Sequence, residues 1–239
     1  MSGSRFANPV FVALDTPDLS RALELAAAVK PYVGGLKVGL EFITALGPEG
    51  IVRITELGLP VFADTKFHDI PNTVAGAAKA IGELGVDIFN IHASGGGAMM
   101  RAAMEAAVMF HPRPKVIAVT VLTSLGDDDL DAVGQSVPAA GQVTRLAKLA
   151  KTSGLDGVVC SPQEIGLVRQ ACGAEFLIVT PGVRPAGADL ADQRRVMTPE
   201  EAVRAGADIL VIGRPITGAA DPATAAKAIA AGLALAKSN

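Results

Sequence analysis

The chain has 239 residues, half of them hydrophobic, with 21 Lys plus Arg against 24 Asp plus Glu and a mean hydropathy of +0.40. That is enough apolar material for a large core, and it excludes a disordered or low-complexity chain. A net charge of −3 with no basic block, one Tyr, eight Phe and no Trp argues against a nucleic-acid partner, which needs cations along a phosphate backbone or stacking platforms.

Stretches without a charged residue reach 13, as over residues 88–100, and contain Asn, His, Ser and Gly; none fits a membrane span. The N-terminal MSGSRFANPVFVALD lacks the apolar core and small-residue cleavage site of a secretory signal, so a cytoplasmic setting is expected. Cys160 and Cys172 form no CxxC pair and read as small apolar residues in a reducing compartment.

In chain order, eight short apolar runs have strand composition: VFVALD, GGLKVG, PVFADTK, DIFNIHA, VIAVTVLT, GVVCS, FLIVTPG and ILVIGR. They end near Asp15, Gly39, Lys66, Ala93, Leu122, Ser161, Gly182 and Arg214, a mean spacing of about 28 residues, the size of a βα unit. Between them, residues 17–29, 48–57, 73–84, 98–110, 138–152, 162–171, 198–205 and 222–236 read as amphipathic or alanine-rich helices. Several open on Pro at the first turn, where its missing N–H would have no partner in any case. Near-continuous apolar strands suit a parallel sheet covered on both faces. Eight such units over 1–239 predict one α/β domain, a (β/α)₈ barrel. A doubly wound open sheet is the runner-up, but it would place a GxGxxG turn where this chain runs into Asp15-Thr-Pro. Gly95-Gly-Gly reads as a tight strand-to-helix turn.

Strand ends five and six are 39 residues apart, and seven and eight are 32 apart. Both excesses follow strands, which in a barrel places them on the C-terminal face, so 124–137 and 183–196 are candidate lids.

Charge inside apolar runs is costly, yet the ends of strands one to three carry Asp15, Lys37, Asp64 and Lys66. Asp64 and Lys66 are two apart, so an extended segment would send both side chains to one face. Lys37 on the adjacent strand can join them, and Asp69 could complete an alternating cluster of two amines and two carboxylates. Such a cluster is either a structural ion-pair network or a working site. A second set, Thr180-Pro-Gly-Val-Arg184 and Ile212-Gly-Arg-Pro215, follows strands seven and eight, where barrels often hold phosphate. Gly213 would allow close backbone approach there, and Arg184 and Arg214 would supply forked donors. His68, His92 and His111 show no metal-ligand spacing and read as packing or loop residues.

Asp64-Thr-Lys-Phe-His-Asp-Ile-Pro-Asn-Thr73 closely resembles the DxKxxDIPNT signature of the orotidine 5′-phosphate decarboxylase family, in its short bacterial form. The likeness extends from Leu14-Asp15 through Lys37-Val-Gly, His92-Ala-Ser-Gly, Leu122-Thr-Ser and Pro181-Gly-Val-Arg184 to Gln193 and Ile212-Gly-Arg214. It implies cofactor-free and metal-free decarboxylation of orotidine 5′-phosphate to uridine 5′-phosphate in pyrimidine biosynthesis. Lys37, Asp64, Lys66 and Asp69 would be the catalytic network, with Lys66 the proton donor to C6. Asp15 and Lys37 would contact the ribose, Thr123 and Ser124 the pyrimidine, and Arg184, Gln193, Gly213 and Arg214, with Pro181 beside them, the phosphate. The 183–196 loop would close over the ligand. Asp69, Ile70 and Thr73 would reach into a neighbouring subunit's site, which implies a homodimer. Related phosphosugar enzymes hold Mg²⁺ partly through an acidic residue at the end of strand two, where this chain has Lys37. A Mg²⁺-dependent lyase or isomerase and a non-catalytic nucleotide-binding barrel are the alternatives.

Overall fold

The computed structural model describes residues 8–185 and 197–238. Eight parallel strands, β1 Val10–Ala13, β2 Gly35–Val38, β3 Val61–Phe67, β4 Ile88–His92, β5 Lys115–Val119, β6 Gly157–Val159, β7 Leu177–Pro181 and β8 Ile209–Ile212, pair in sequence order. β8 returns to β1 with Val10 opposite Leu210, so the barrel is closed. The expected (β/α)₈ architecture is therefore the one found.

Closure buries both faces of every strand, which is why the strands read as unbroken apolar runs. Phe11, Phe62, Ile88, Ile117, Val179 and Ile209 turn inward and fill the barrel. Their neighbours, such as Val10, Val12, Leu36 and Val61, face outward against the helices. Packing inside is close enough to dictate a glycine: a Cβ on Gly35, opposite Phe11, would lie 2.4 Å from its ring.

The helices are α1 Leu19–Val29, α2 Leu40–Thr55, α3 Pro71–Gly82, α4 Gly96–Ala107, α5 Asp127–Ala132, α6 Ala139–Thr152, α7 Ile165–Cys172, α8 Pro199–Ala205, α9 Arg214–Thr217 and α10 Pro222–Ser238. Asp18 caps α1 by accepting from the Ser20 and Arg21 N–H groups. α3 opens at Pro71 rather than Thr73 because proline at the first turn loses no intrahelical bond. The expected helix at 48–57 is incomplete. α2 begins at Leu40, and Gly47, at φ 61°, kinks it where Pro48 restarts the helical path. Gly96, at φ 88°, makes the tight turn expected after β4.

The candidate lid at 124–137 is ordered by a helix of its own. In α5, Asp129 accepts from Gly126 N–H at 2.9 Å, and Asp127 ties the segment to α6 by accepting from Ala139 N–H at 2.8 Å. Its acidic first turn suits the positive end of the helix dipole. Most of the other candidate lid, at 183–196, lies outside the described residues. Cys160 and Cys172 are free and buried, in keeping with small apolar residues. Among the described residues no helix is long and apolar enough to cross a membrane.

One device recurs at the opposite end of the barrel from the strand C-termini. The residue preceding β4, β6 and β8 is aspartate in each case, and each does the same two things. Asp87, Asp156 and Asp208 donate their own N–H to the carbonyls of Val61, Val116 and Ile178. Their carboxylates accept those residues' N–H groups, each at 2.8 Å. Each thus closes the first rung between an odd strand and the next even one, satisfying a donor that would otherwise be orphaned. Arg113 forks onto Asp156 at 2.6 and 2.8 Å, and Arg169 reaches Asp208 at 2.7 Å. Burial pushes Asp156 up, but the Arg113 hydrogen bond, the Val116 N–H and the nearby cations outweigh it and hold the carboxyl below its ordinary value. Asp87 makes no ion pair among the described residues.

This difference is testable by urea unfolding. Asp208→Ala takes the carboxylate from Arg169, whose guanidinium keeps its bonds to the Gly173, Ala174, Phe176 and Gly206 carbonyls, and leaves the Ile178 N–H without its acceptor; it is expected to cost about 2–3 kcal/mol. Asp87→Asn keeps an acceptor for Val61 N–H and strands no cation, so its cost is expected to stay below about 1 kcal/mol. Equal losses in the two variants would contradict the assigned roles.

Candidate active site

The strand C-termini bring Asp15, Lys37, Asp64 and Lys66 together at the barrel mouth. Lys37, on β2, is only 6% exposed. Its Nζ lies 2.7 Å from Asp15 Oδ1 and 3.7 Å from Asp64 Oδ2. Asp64 Oδ1 accepts from Lys66 Nζ at 2.6 Å and from Asn90 Nδ2 at 2.7 Å. Burial alone would raise the Asp64 carboxyl, but the charges of Lys37 and Lys66 and the hydrogen bonds from Lys66 and Asn90 hold it below its ordinary value.

Asp64 and Lys66 meet, as their spacing predicts, but not along a flat strand. The β3–β4 register shifts between Ala63 and Phe67, and Lys66 has φ 51°, the one positive value among described non-glycine residues. The residue that sequence reasoning missed is Asn90. Besides its bond to Asp64, its Oδ1 accepts the Lys66 N–H at 2.7 Å and its backbone carbonyl accepts the Thr65 hydroxyl at 2.7 Å. The available signal was a lone amide in the apolar run DIFNIHA.

Asp69 departs from the expected four-charge cluster. It is exposed, accepts the neighbouring Ile70 N–H at 2.7 Å and makes no ion pair among the described residues. Ile70, 67% exposed, and Thr73 share its open turn at the start of α3. Within one chain the cluster is therefore Asp15, Lys37, Asp64 and Lys66. His68 and His92 lie against each other with ring centroids 5.5 Å apart and planes tilted by 31°, in keeping with a packing role. Burial, then the charges of His68 and Lys66, push His92 below its ordinary value and keep it neutral at pH 7.

Two adjoining cavities open on this cluster. One, of about 190 Å³, has Lys37, Asp64, Lys66 and Thr123 on an otherwise apolar wall of residues such as Phe62, Val119, Val159 and Val211. The other, of about 220 Å³, is polar and shares Lys37, Asp64, Pro181 and Val211 with the first, while adding Asp15, Arg184, Gly213 and Arg214. Arg184 is 8% exposed, with Nη1 donating to the Val183 carbonyl at 3.0 Å. Thus Thr123, Pro181, Arg184, Gly213 and Arg214 converge with the charged cluster. Ser124 is exposed and lines neither cavity. Gln193 lies outside the described residues. The pair of cavities can seat a flat, largely apolar group against two lysines and an anionic group against two arginines.

Residues 8–229 match the family described as orotidine 5′-phosphate decarboxylase / HUMPS. A Moorella thermoacetica protein named orotidine 5′-phosphate decarboxylase is 58% identical over 234 residues, covering 95% of this chain and 93% of that one. One of the same name from Paramagnetospirillum magneticum is 54% identical over 233 residues, covering 95% and 99%. Among solved structures, the Lactobacillus acidophilus orotidine 5′-phosphate decarboxylase superposes with a TM-score of 0.84 at 39% identity, covering 95% of this chain and 99% of that one.

The depressed Asp64 carboxyl gives the site a signature in stability. Its folded value lies below its unfolded one, so its contribution is complete above the ordinary carboxylate range and is lost as pH falls through the folded value. Asp64→Asn is expected to cost about 1–3 kcal/mol at pH 7, with a smaller gap from the native protein at pH 3. Urea melts at both values check this; a gap independent of pH would contradict it.

Proposed function

Since the chain belongs to the orotidine 5′-phosphate decarboxylase / HUMPS family, we propose that it decarboxylates orotidine 5′-phosphate to uridine 5′-phosphate, a step of pyrimidine biosynthesis. The observation that carries this reading is the Lys66 ammonium, held 2.6 Å from Asp64 at the rim of the apolar cavity. Breaking the bond between C6 and the carboxylate leaves an electron pair on a ring carbon that no neighbouring position delocalises. Stabilisation must then come from charge already in place. A fixed ammonium next to C6 provides it without reorganisation and then delivers its proton to C6 as CO₂ departs. Lys66 is the proton donor. Lys37 and Asp64 hold it aimed, and Asp64 also crowds the departing carboxylate.

The ribose lies between the cavities, against Asp15 and Lys37, and the pyrimidine lies against Thr123, with Ser124 following it on the exposed loop. The phosphate goes to Arg184, Gly213 and Arg214 beside Pro181. Binding energy gathered there is remote from C6 and can be used to close the site around the reacting carbon.

The family also takes in phosphosugar enzymes, but here the space between the Asp15 and Asp64 carboxylates is taken by the Lys37 ammonium. A divalent cation would meet like charge, so the chemistry proceeds without one. A non-catalytic barrel would have no use for a lysine held in left-handed backbone. The catalytic unit is one barrel domain over 1–239 in a cytoplasmic homodimer. The exposed Asp69, Ile70 and Thr73 of each subunit complete the other's site, with Asp69 supplying the second carboxylate flanking Lys66.

CO₂ release from orotidine 5′-phosphate, followed with a chelator present, tests the reaction. Turnover is expected to be insensitive to the chelator and to fall by at least about three orders of magnitude in Lys66→Ala. No release from folded, substrate-saturated protein would refute the reading. The shared site has its own test. Lys66→Ala and Asp69→Ala homodimers should each be nearly inactive, and mixing them should restore activity through the one intact site of each heterodimer. Absence of recovery despite demonstrated subunit exchange would refute that arrangement.

A further inference from the structure

A buried primary amide is costly unless its donor and acceptor are both used. Asn90, in the middle of β4, is 1% exposed, and residues 64–66 take its amide and its carbonyl. Nδ2 donates to Asp64 Oδ1, Oδ1 accepts from Lys66 N–H, and the backbone carbonyl accepts from the Thr65 hydroxyl, each at 2.7 Å. The amide's orientation follows from its neighbours: a carboxylate can only accept and an N–H can only donate, so the two ends cannot be exchanged.

These bonds fall where β3 leaves its register. Left-handed backbone at a lysine is strained and persists only where the surroundings over-determine it. At Lys66 the surroundings are Asn90, which holds the backbone N–H of the strained residue and the carboxylate to which its side chain returns. Asn90 is itself held on the other side, where β4 pairs with β5 without interruption and Asn90 lies opposite Ile117.

We propose that Asn90 is a positioning residue for the decarboxylation: it locks Lys66 in the left-handed turn that returns Nζ to Asp64, and it orients the Asp64 carboxylate so that Oδ1 serves Lys66 while Oδ2 faces Lys37. The inference rests on the decarboxylase reading for its activity readout and on the geometry alone for its structural one. Asn90 touches no reacting atom and acts through Lys66 and Asp64. Neither common replacement reproduces it. Alanine removes donor and acceptor together. Aspartate can still accept from Lys66 N–H but sets a second carboxylate against Asp64, whose other ionisable neighbours are Lys37 on β2, Lys66 on β3 and His92 on β4.

The experiment compares native protein with Asn90→Ala and Asn90→Asp. It measures kcat for CO₂ release, affinity for uridine 5′-phosphate, the pH profile, and the Asp64 carboxyl titration by carbon NMR. Asn90→Ala is expected to lose about 10–100-fold in kcat, as for residues that orient a reacting group from behind, with nucleotide affinity kept within about threefold. Asn90→Asp is expected to move both the acid limb of the profile and the Asp64 titration to higher pH, because the added carboxylate penalises an ionised Asp64. Both kcat values within twofold of native would overturn the proposal, as would nucleotide affinity lost in step with kcat, which marks general damage to the barrel mouth. If Asn90→Ala does not fold, the near-isosteric Asn90→Asp decides by the same two pH readouts. If the native protein releases no CO₂, the decarboxylase reading falls, and the Asp64 titration alone decides: unchanged in Asn90→Asp it overturns the positioning role, and raised it supports it.

Discussion

One carboxylate held between two ammonium groups organises the mouth of this barrel. Asp64 has Lys66 at 2.6 Å and Lys37 at 3.7 Å, and all three side chains are largely withdrawn from water. Taking such charges out of solvent costs several kcal/mol per ion unless geometry and additional hydrogen bonds restore what hydration supplied. The surrounding structure is arranged to restore it. Asp15 accepts from Lys37, Asn90 donates to Asp64, and β3 gives up a regular ladder so that Lys66 can fold back.

The two ends of the barrel treat buried charge differently, and the contrast separates stability from function. At the N-terminal end, Asp156 and Asp208 each face an arginine and the N–H of a strand residue. At the C-terminal end, both lysines and Asp64 line an apolar cavity large enough for a planar ring. At the N-terminal end each carboxylate also closes a rung of the strand ladder; at the mouth Asp64 meets the side chains of Lys66, Asn90 and Lys37, with two arginines in the adjoining cavity. Carboxylates used by backbone N–H groups hold strands in register, whereas charges paired with one another around a single cavity form the arrangement of a working cluster.

How much of this was legible in the sequence depends on which force placed each residue. The strands were legible because burial on both faces leaves unbroken apolar runs, and Lys37, Asp64 and Lys66 stood out as charges inside them. The first turns of α2 were not, since Leu40 to Gly47 lead into a proline that looks like a beginning and is a restart after a kink. The role of the three aspartates that precede β4, β6 and β8 had no signal in the sequence, because the partners they share are backbone groups that no composition reveals. Asn90 had a signal without a meaning: a polar residue in an apolar strand must be partnered, but its partners lie 24 to 26 residues away. Asp69 belongs to the signature that marks the family, yet it joins no ion pair among the described residues of one chain. The physical reason is its position on an exposed turn beside Ile70, a large apolar side chain that one chain leaves uncovered.

The left-handed Lys66 is the least legible feature, because lysine has no intrinsic tendency toward that backbone and nothing local compels it. The asymmetry of β4 accounts for it. On one side β4 pairs with β5 over five consecutive residues, Ile88 to His92, with no irregularity. On the other, its pairing with β3 is regular only up to Ala63 and resumes at Phe67. β4 therefore serves as the template and β3 as the strand that deforms, and the deformation is taken up between the two residues whose side chains must meet. Relaxing Lys66 into an ordinary strand would restore the ladder and still leave Asp64 and Lys66 on one face, but it would take the Lys66 N–H from Asn90 Oδ1 and leave that acceptor buried without a donor. That loss opposes the gain in backbone energy, so the strain is held by the same residue that aims the amine.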